Sequence, residues 1–135
     1  MWRIERFGLA AARRAAPGQT NIMHEVSIMA EAVRMAVESA QAAGARRVTG
    51  LRLRVGTLSG VVPDALQFAF EAMAAGTLAE NATLTIEPIP ARFWCEACQM
   101  EFEAAELFAE CPQCNTSSRE LRAGRELELA SLEVD

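Results

Sequence analysis

Apolar residues recur along this chain with two periods. From Met23, the series Val26, Met29, Ala30, Val33, Ala36, Val37 and Ala40 repeats at helical spacing, while Ser27, Glu31, Arg34, Glu38 and Gln41 fall on the opposite side. This predicts an amphipathic helix stopped at Gly44, with Glu31–Arg34 and Arg34–Glu38 able to pair along its wet side. Val48 to Val55 alternates instead: Leu51, Leu53 and Val55 face one way, Arg52 and Arg54 the other, as in a half-buried strand with a solvated outer face. Gly56 to Gly60 reads as a loop, and Pro63-Asp64 opens a second helix through about Ala75. The polar stripe of that helix is thin (Asp64, Gln67, Glu71), so Leu66, Phe68, Ala69, Phe70 and Met73 are expected to lie largely buried.

Ala82 to Ile89 alternates again, Leu84 and Ile86 against Thr83, Thr85 and Glu87, with Pro88 and Pro90 expected to end it. In the last segment, Arg125 to Val134, Leu127 and Leu129 share a face. The phase then slips across Ala130-Ser131 to Leu132 and Val134, which predicts a bulge. The last strand most simply returns to the first sheet. The expected fold class is α+β, two helices on a three-stranded sheet, with the segment between the last two strands inserted as a subdomain.

That inserted segment holds all four cysteines, as Cys95-Glu-Ala-Cys98 and Cys111-Pro-Gln-Cys114, with twelve residues between the pairs. A two-residue gap lets both thiolates of a pair turn toward one ion, and the return loop brings the second pair over to close a tetrahedron. Asn115 tolerates a left-handed backbone, Pro112 stiffens its turn, and Phe93, Trp94, Phe102 and Phe108 can pack around a unit too small to build its own core. Disulfides would need an oxidising compartment, and nothing resembles a secretory signal. A redox centre needs one reactive pair, whereas two matched pairs argue for a closed structural zinc site. Four thiolates leave no open position for substrate, so this zinc is expected to hold structure and not to catalyse.

Charge narrows the picture further. The 135 residues carry a net charge of −5, and all thirteen basic residues are Arg, without a basic stripe of the kind nucleic acid requires. No apolar run approaches the roughly 18 residues of a membrane span, so a cytoplasmic protein with neither nucleic-acid nor membrane partner is expected. Residues 1–22 differ from the rest: four Arg and one Glu make them +3, against −8 for residues 23–135. The Ala/Arg bias and the Pro17-Gly18 break suggest a weak helix and linker, read as a disordered extension. The acids are scattered over solvated faces and no nucleophile–base pair stands out, so the chain is not expected to be an enzyme.

His24 is the single histidine and stands in Met23-His24-Glu25 at the entrance of the first helix. In a chain starting at Met23, a free amine, the His24 amide and the His24 imidazole form fused chelate rings around one ion, and the Glu25 amide completes four nitrogen donors in a plane. Ni(II) and Cu(II) favour that arrangement.

Met23-His24-Glu25-Val26-Ser27-Ile28, Arg46-Arg47-Val48, Gly56 to Pro63 (GTLSGVVP), Phe68-Ala69-Phe70-Glu71, Gly76-Thr77 and the paired C-x-x-C run in the order of the HypA/HybF family, which this chain resembles over residues 23–135. The resemblance implies a nickel metallochaperone of [NiFe]-hydrogenase maturation, holding Ni2+ as cargo at Met23, His24 and Glu25 and structural Zn2+ at Cys95, Cys98, Cys111 and Cys114. It implies a HypB-type GTPase and the hydrogenase large subunit as partners, with urease served by some members. The expected domains are an extension over 1–22, a nickel-binding α/β domain over 23–91 and 119–135, and a zinc ribbon over 92–118, in a monomer or homodimer. The family's Met is the first residue; here twenty-two residues precede it, and a peptide nitrogen is a poorer donor than an amine. The competing reading is a zinc-ribbon interaction module that never handles nickel.

Overall fold

The computed structural model describes residues 2–8, 22–105 and 109–135. The elements run β1 (Trp2–Gly8), α1 (Ile22–Ala42), β2 (Val48–Gly56), α2 (Pro63–Ala74), β3 (Thr83–Ile89), β4 (Arg92–Cys95), β5 (Met100–Glu103), β6 (Ala109–Glu110), β7 (Ser117–Ser118), β8 (Leu121–Ala123) and β9 (Leu127–Val134). They form two lobes with separate cores.

In the first lobe β2 and β3 pair in parallel, joined through α2, while β9 returns antiparallel to the other side of β2. The register shifts so that Arg52 faces Ser131 and Leu53 faces Leu129, leaving Ala130 as the extra residue of a bulge. That bulge lets Leu127, Leu129, Leu132 and Val134 all join one core with Leu51, Leu53, Leu84 and residues of both helices. On the outer face Arg54 bridges the strands, 3.0 Å from Glu128 of β9 and 3.9 Å from Glu87 of β3.

Several sequence expectations are corrected here. The sheet has four strands in the order β1-β9-β2-β3, because Trp2–Gly8 pairs antiparallel with β9. Part of the stretch read as a disordered extension over residues 1–22 is therefore a strand; residues 9–21, with Pro17-Gly18, lie outside the described residues. Its alternation is too short to stand out, and its partner is more than a hundred residues away. Next, the buried stripe of α1 is Ile28, Met29, Ala32, Val33, Ala36 and Ala40, headed by Glu25, while Ala30 is exposed and Val26 half-buried. The polar side is as expected, with Arg34 paired to Glu31 and, at 2.8 Å, to Glu38. Lastly, α2 buries Leu66, Ala69, Phe70 and Ala74 but leaves Phe68 64% exposed. Pro88 sits inside β3, tolerated because β3 is an edge strand that needs no outward N–H.

The second lobe is a ribbon, with sheet order β5-β4-β8 and a small β6-β7 pair. Because β8 pairs with β4, the ribbon reaches Ala123, past the expected residue 118. Phe93 and Phe102 stack at 5.9 Å between ring centroids and fill its core, and the Arg122 guanidinium lies 4.7 Å from the Trp94 ring. Phe108, expected in the same cluster, lies outside the described residues.

The lobes join where three backbones cross. A Cβ on Gly56 would meet the Gly124 carbonyl oxygen at 2.1 Å, and one on Gly124 would meet the Ala91 Cα at 2.7 Å. The Gly56 and Leu58 amides donate to Glu126 and Gly124 carbonyls at 2.7 Å each, and Leu58 packs on the ribbon core. Since backbone cannot swing aside, Gly56→Ala is expected to cost toward the upper end of the about 1–3 kcal/mol typical of overpacking. Urea unfolding with an unchanged midpoint would contradict this.

Candidate metal centres

The two C-x-x-C pairs sit on matching knuckles. Cys95 ends β4 and the turn through Cys98 closes at Gln99 with φ 52°; Cys111 follows β6 and the turn through Cys114 closes at Asn115 with φ 59°. The second turn is fastened by the Asn115 amide donating to the Cys111 carbonyl at 2.8 Å and the Cys111 amide donating to that of Thr116 at 2.9 Å. The expected left-handed residue at 115 is therefore present; its counterpart at Gln99 carried no signal, because glutamine has no special tolerance for that region.

All four cysteines are free thiols, and their sulfurs lie within 4.8 Å of one another. Cys95 and Cys114 are 3.6 Å apart, Cys98 and Cys111 3.9 Å. Zn–S bonds of about 2.3 Å in a tetrahedron place sulfurs about 3.8 Å apart, so this donor set fits zinc. The hydroxyl and amide of Thr116 bring the Cys114 thiol down to about 6. Cys98 is pushed up to about 12 by its hydrogen bond to Cys114 and by burial. One negative sulfur thus suppresses ionisation of another, and a divalent cation supplies the positive charge that lets all four be thiolates. With four sulfurs in place a bound zinc has no open position, so its chemistry is structural.

Met23, His24 and Glu25 all fall in the first turn of α1, an element that carries none of the cysteines. His24 is half-buried, and among the described residues it belongs to no group of three or more metal-ligating side chains. Glu25 is 1% exposed, and its carboxylate accepts the Val62 amide at 3.3 Å. Val62 is the N-cap of α2 and has no side-chain oxygen of its own, so a carboxylate from α1 serves the positive end of α2. Sequence reasoning gave Glu25 no such role, although it lies one helical step before Ile28 and Met29 on the buried stripe. Glu25→Ala is expected to cost about 1–3 kcal/mol, the penalty for stranding a buried donor, and Glu25→Gln much less because an acceptor remains. Equal unfolding midpoints for the two variants would refute this.

A thiolate ribbon inserted in an α/β lobe, with a histidine at the head of that lobe's first helix, defines the class as a small two-lobed metal-binding protein. The family model for hydrogenase/urease nickel incorporation, metallochaperone, hypA matches residues 23–134. The hydrogenase maturation factor HypA of Picosynechococcus sp. is 50% identical over 112 residues, 83% of this chain and 99% of that one. That of Geobacter metallireducens is 43% identical over 113 residues, 84% and 100% of the two chains. The chain belongs to the HypA family, whose members are nickel metallochaperones of hydrogenase maturation and not enzymes. The fold agrees: a solution structure of HypA protein superposes with TM-score 0.64 at 23% identity, covering 84% of this chain and 97% of that one. The Ni metallochaperone HypA from Helicobacter pylori does so with TM-score 0.56 at 22% identity, covering 82% and 96%. Among the described residues no helix is long and apolar enough to cross a membrane.

Proposed function

We propose that this chain binds Ni(II) at Met23-His24-Glu25 and hands it to a [NiFe]-hydrogenase large subunit in the cytoplasm, together with a HypB-type GTPase, and that Cys95, Cys98, Cys111 and Cys114 hold a resident structural zinc. The observation that carries the nickel half is where the family match begins, at Met23, on the head of a helix whose leading amides have no intrahelical acceptor. Donors come from the His24 imidazole and from backbone nitrogens of this turn. A flat five-membered ring through consecutive backbone nitrogens needs ψ near 0°, whereas a helix holds it near about −42°. Nickel capture by those nitrogens therefore unwinds the first turn of α1. Glu25 stays clamped to Val62, so the unwinding is confined to the residues ahead of it.

Backbone nitrogens bind only after losing a proton, so nickel affinity should fall as pH falls. The test of delivery is transfer: the nickel-loaded chain mixed with metal-free large-subunit precursor should lose its nickel to the precursor, faster with the GTPase present. Retention of nickel under those conditions would overturn the delivery reading. The same assay with apo-urease decides whether urease is a second client.

A further inference from the structure

Strands β9, β2 and β3 of the first lobe's sheet leave two edges, and the chain treats them differently. β3 carries its own protection: the Gln67 side-chain amide donates to the Leu84 carbonyl at 3.0 Å, and Pro88 has no N–H to offer. β9 has no such device. Its sequence LELASLEV contains neither proline nor a basic residue, and its charges are Glu128 and Glu133. It is covered instead by β1, which runs antiparallel along it.

The register also matches the two sequences position by position. The register sets Trp2, Ile4 and Phe7 opposite Val134, Leu132 and Leu129, all three of the latter fully buried, and sets Arg3 opposite Glu133. Apolar positions of one strand coincide with apolar positions of the other, and the basic position meets an acid. A second copy of β9 fits worse. Antiparallel self-pairing that keeps the apolar positions together places Leu129 opposite Leu132, and therefore Glu128 opposite Glu133 twice about the symmetry axis. Like charges directly opposite are destabilising.

We propose that the outer edge of β9 is a strand-addition site for an extended peptide with apolar residues opposite Leu129, Leu132 and Val134 and a basic residue opposite Glu133, and that Trp2–Gly8 occupies this site in cis. Main-chain hydrogen bonds supply affinity in such a site and alternate side chains supply specificity. A partner carrying a segment of that chemistry meets an open edge only when Trp2–Gly8 is displaced or absent. The family match, residues 23–134, leaves it out: among the residues whose burial is described the core of the lobe lies within 28–134, and the Geobacter metallireducens relative is matched over its whole length by 113 residues. The inference does not depend on nickel.

The experiment uses a synthetic peptide of residues 1–8, titrated into isotope-labelled full chain and into a chain of residues 23–135, followed by amide chemical shifts. The shorter chain should show saturable shifts centred on residues 127–134, and the full chain none at the same peptide concentrations. The peptide with Arg3→Glu should bind about threefold or more weakly, from the loss of one favourable cross-strand pair and the gain of a repulsive one. Glu133→Arg in the shorter chain should restore it. Absence of shifts along β9 at millimolar peptide, equal binding by the full chain, or indifference to the charge swap would each overturn the proposal. Self-association of the shorter chain through β9 would overturn it as well, by naming a second copy as the occupant.

Discussion

His24→Ala is expected to abolish nickel binding while zinc content and helicity stay unchanged. The imidazole is the one side-chain nitrogen of the proposed donor set, and the backbone N–H groups of the same turn are too weakly acidic to lose their protons to a metal without an anchoring ligand. His24 is half-buried with both ring nitrogens shielded from solvent, but it is no member of the hydrophobic cluster of the first lobe, so its loss removes a donor and leaves that cluster whole. Length should matter in the same assay. A chain starting at Met23 offers an amine that loses its proton near about pH 8, whereas in the full chain that nitrogen belongs to a peptide bond inside α1. The shorter chain should bind at least about tenfold more tightly, equivalent to about 1.4 kcal/mol. Titration of both lengths, with and without His24→Ala, by absorbance and calorimetry at one pH separates the contributions. Equal affinities for the two lengths would remove the amine from the donor set, and binding that survives His24→Ala would end the assignment of nickel to this segment.

Cys95→Ser or Cys111→Ser is expected to release zinc and unfold the ribbon, while α1, α2 and their sheet remain. Both cysteines are almost fully buried and are themselves part of the ribbon core, whose other buried members among the described residues are Ala91, Phe93, Phe102 and Ala109, with a few half-buried neighbours. Such a core is too small to stand by itself, and zinc in comparable sites contributes about 10–16 kcal/mol of binding energy to folding. The first lobe has its own cluster of helix and sheet residues and shares none of that core. The signature is loss of one zinc per chain, loss of the near-ultraviolet signal of Trp94 and retention of far-ultraviolet helicity. Acidification should do the same more gently, since protons compete for the sulfurs: as pH falls, zinc affinity falls with it. Simultaneous loss of helicity in the cysteine variants would mean that the junction at Gly56, Leu58 and Gly124 couples the lobes into one cooperative unit. Disulfides without zinc after reducing, metal-replete purification would remove the zinc reading.

Much of this protein was determined by local pattern. Alternation alone set β2, β3 and β9 and their inward faces, and the phase slip at Ala130 announced the bulge, because a strand's side chains obey a period of two whatever their partner. The spacing of the four cysteines announced the thiolate site, since a C-x-x-C turn points both sulfurs at one spot before any long-range contact forms. Only the tertiary structure decided the rest. Trp2–Gly8 became a strand because β9 had an open edge, and the alternation of neither segment names a partner so distant in sequence. Glu25 was buried because the amide of Val62, from another element, was there to receive it. Gly56, Gly124 and Ala91 are small because three backbones cross there, a proximity that no single stretch of sequence contains. Periodicity reports which face of an element seeks cover; the cover itself is chosen by chain segments that meet only on folding.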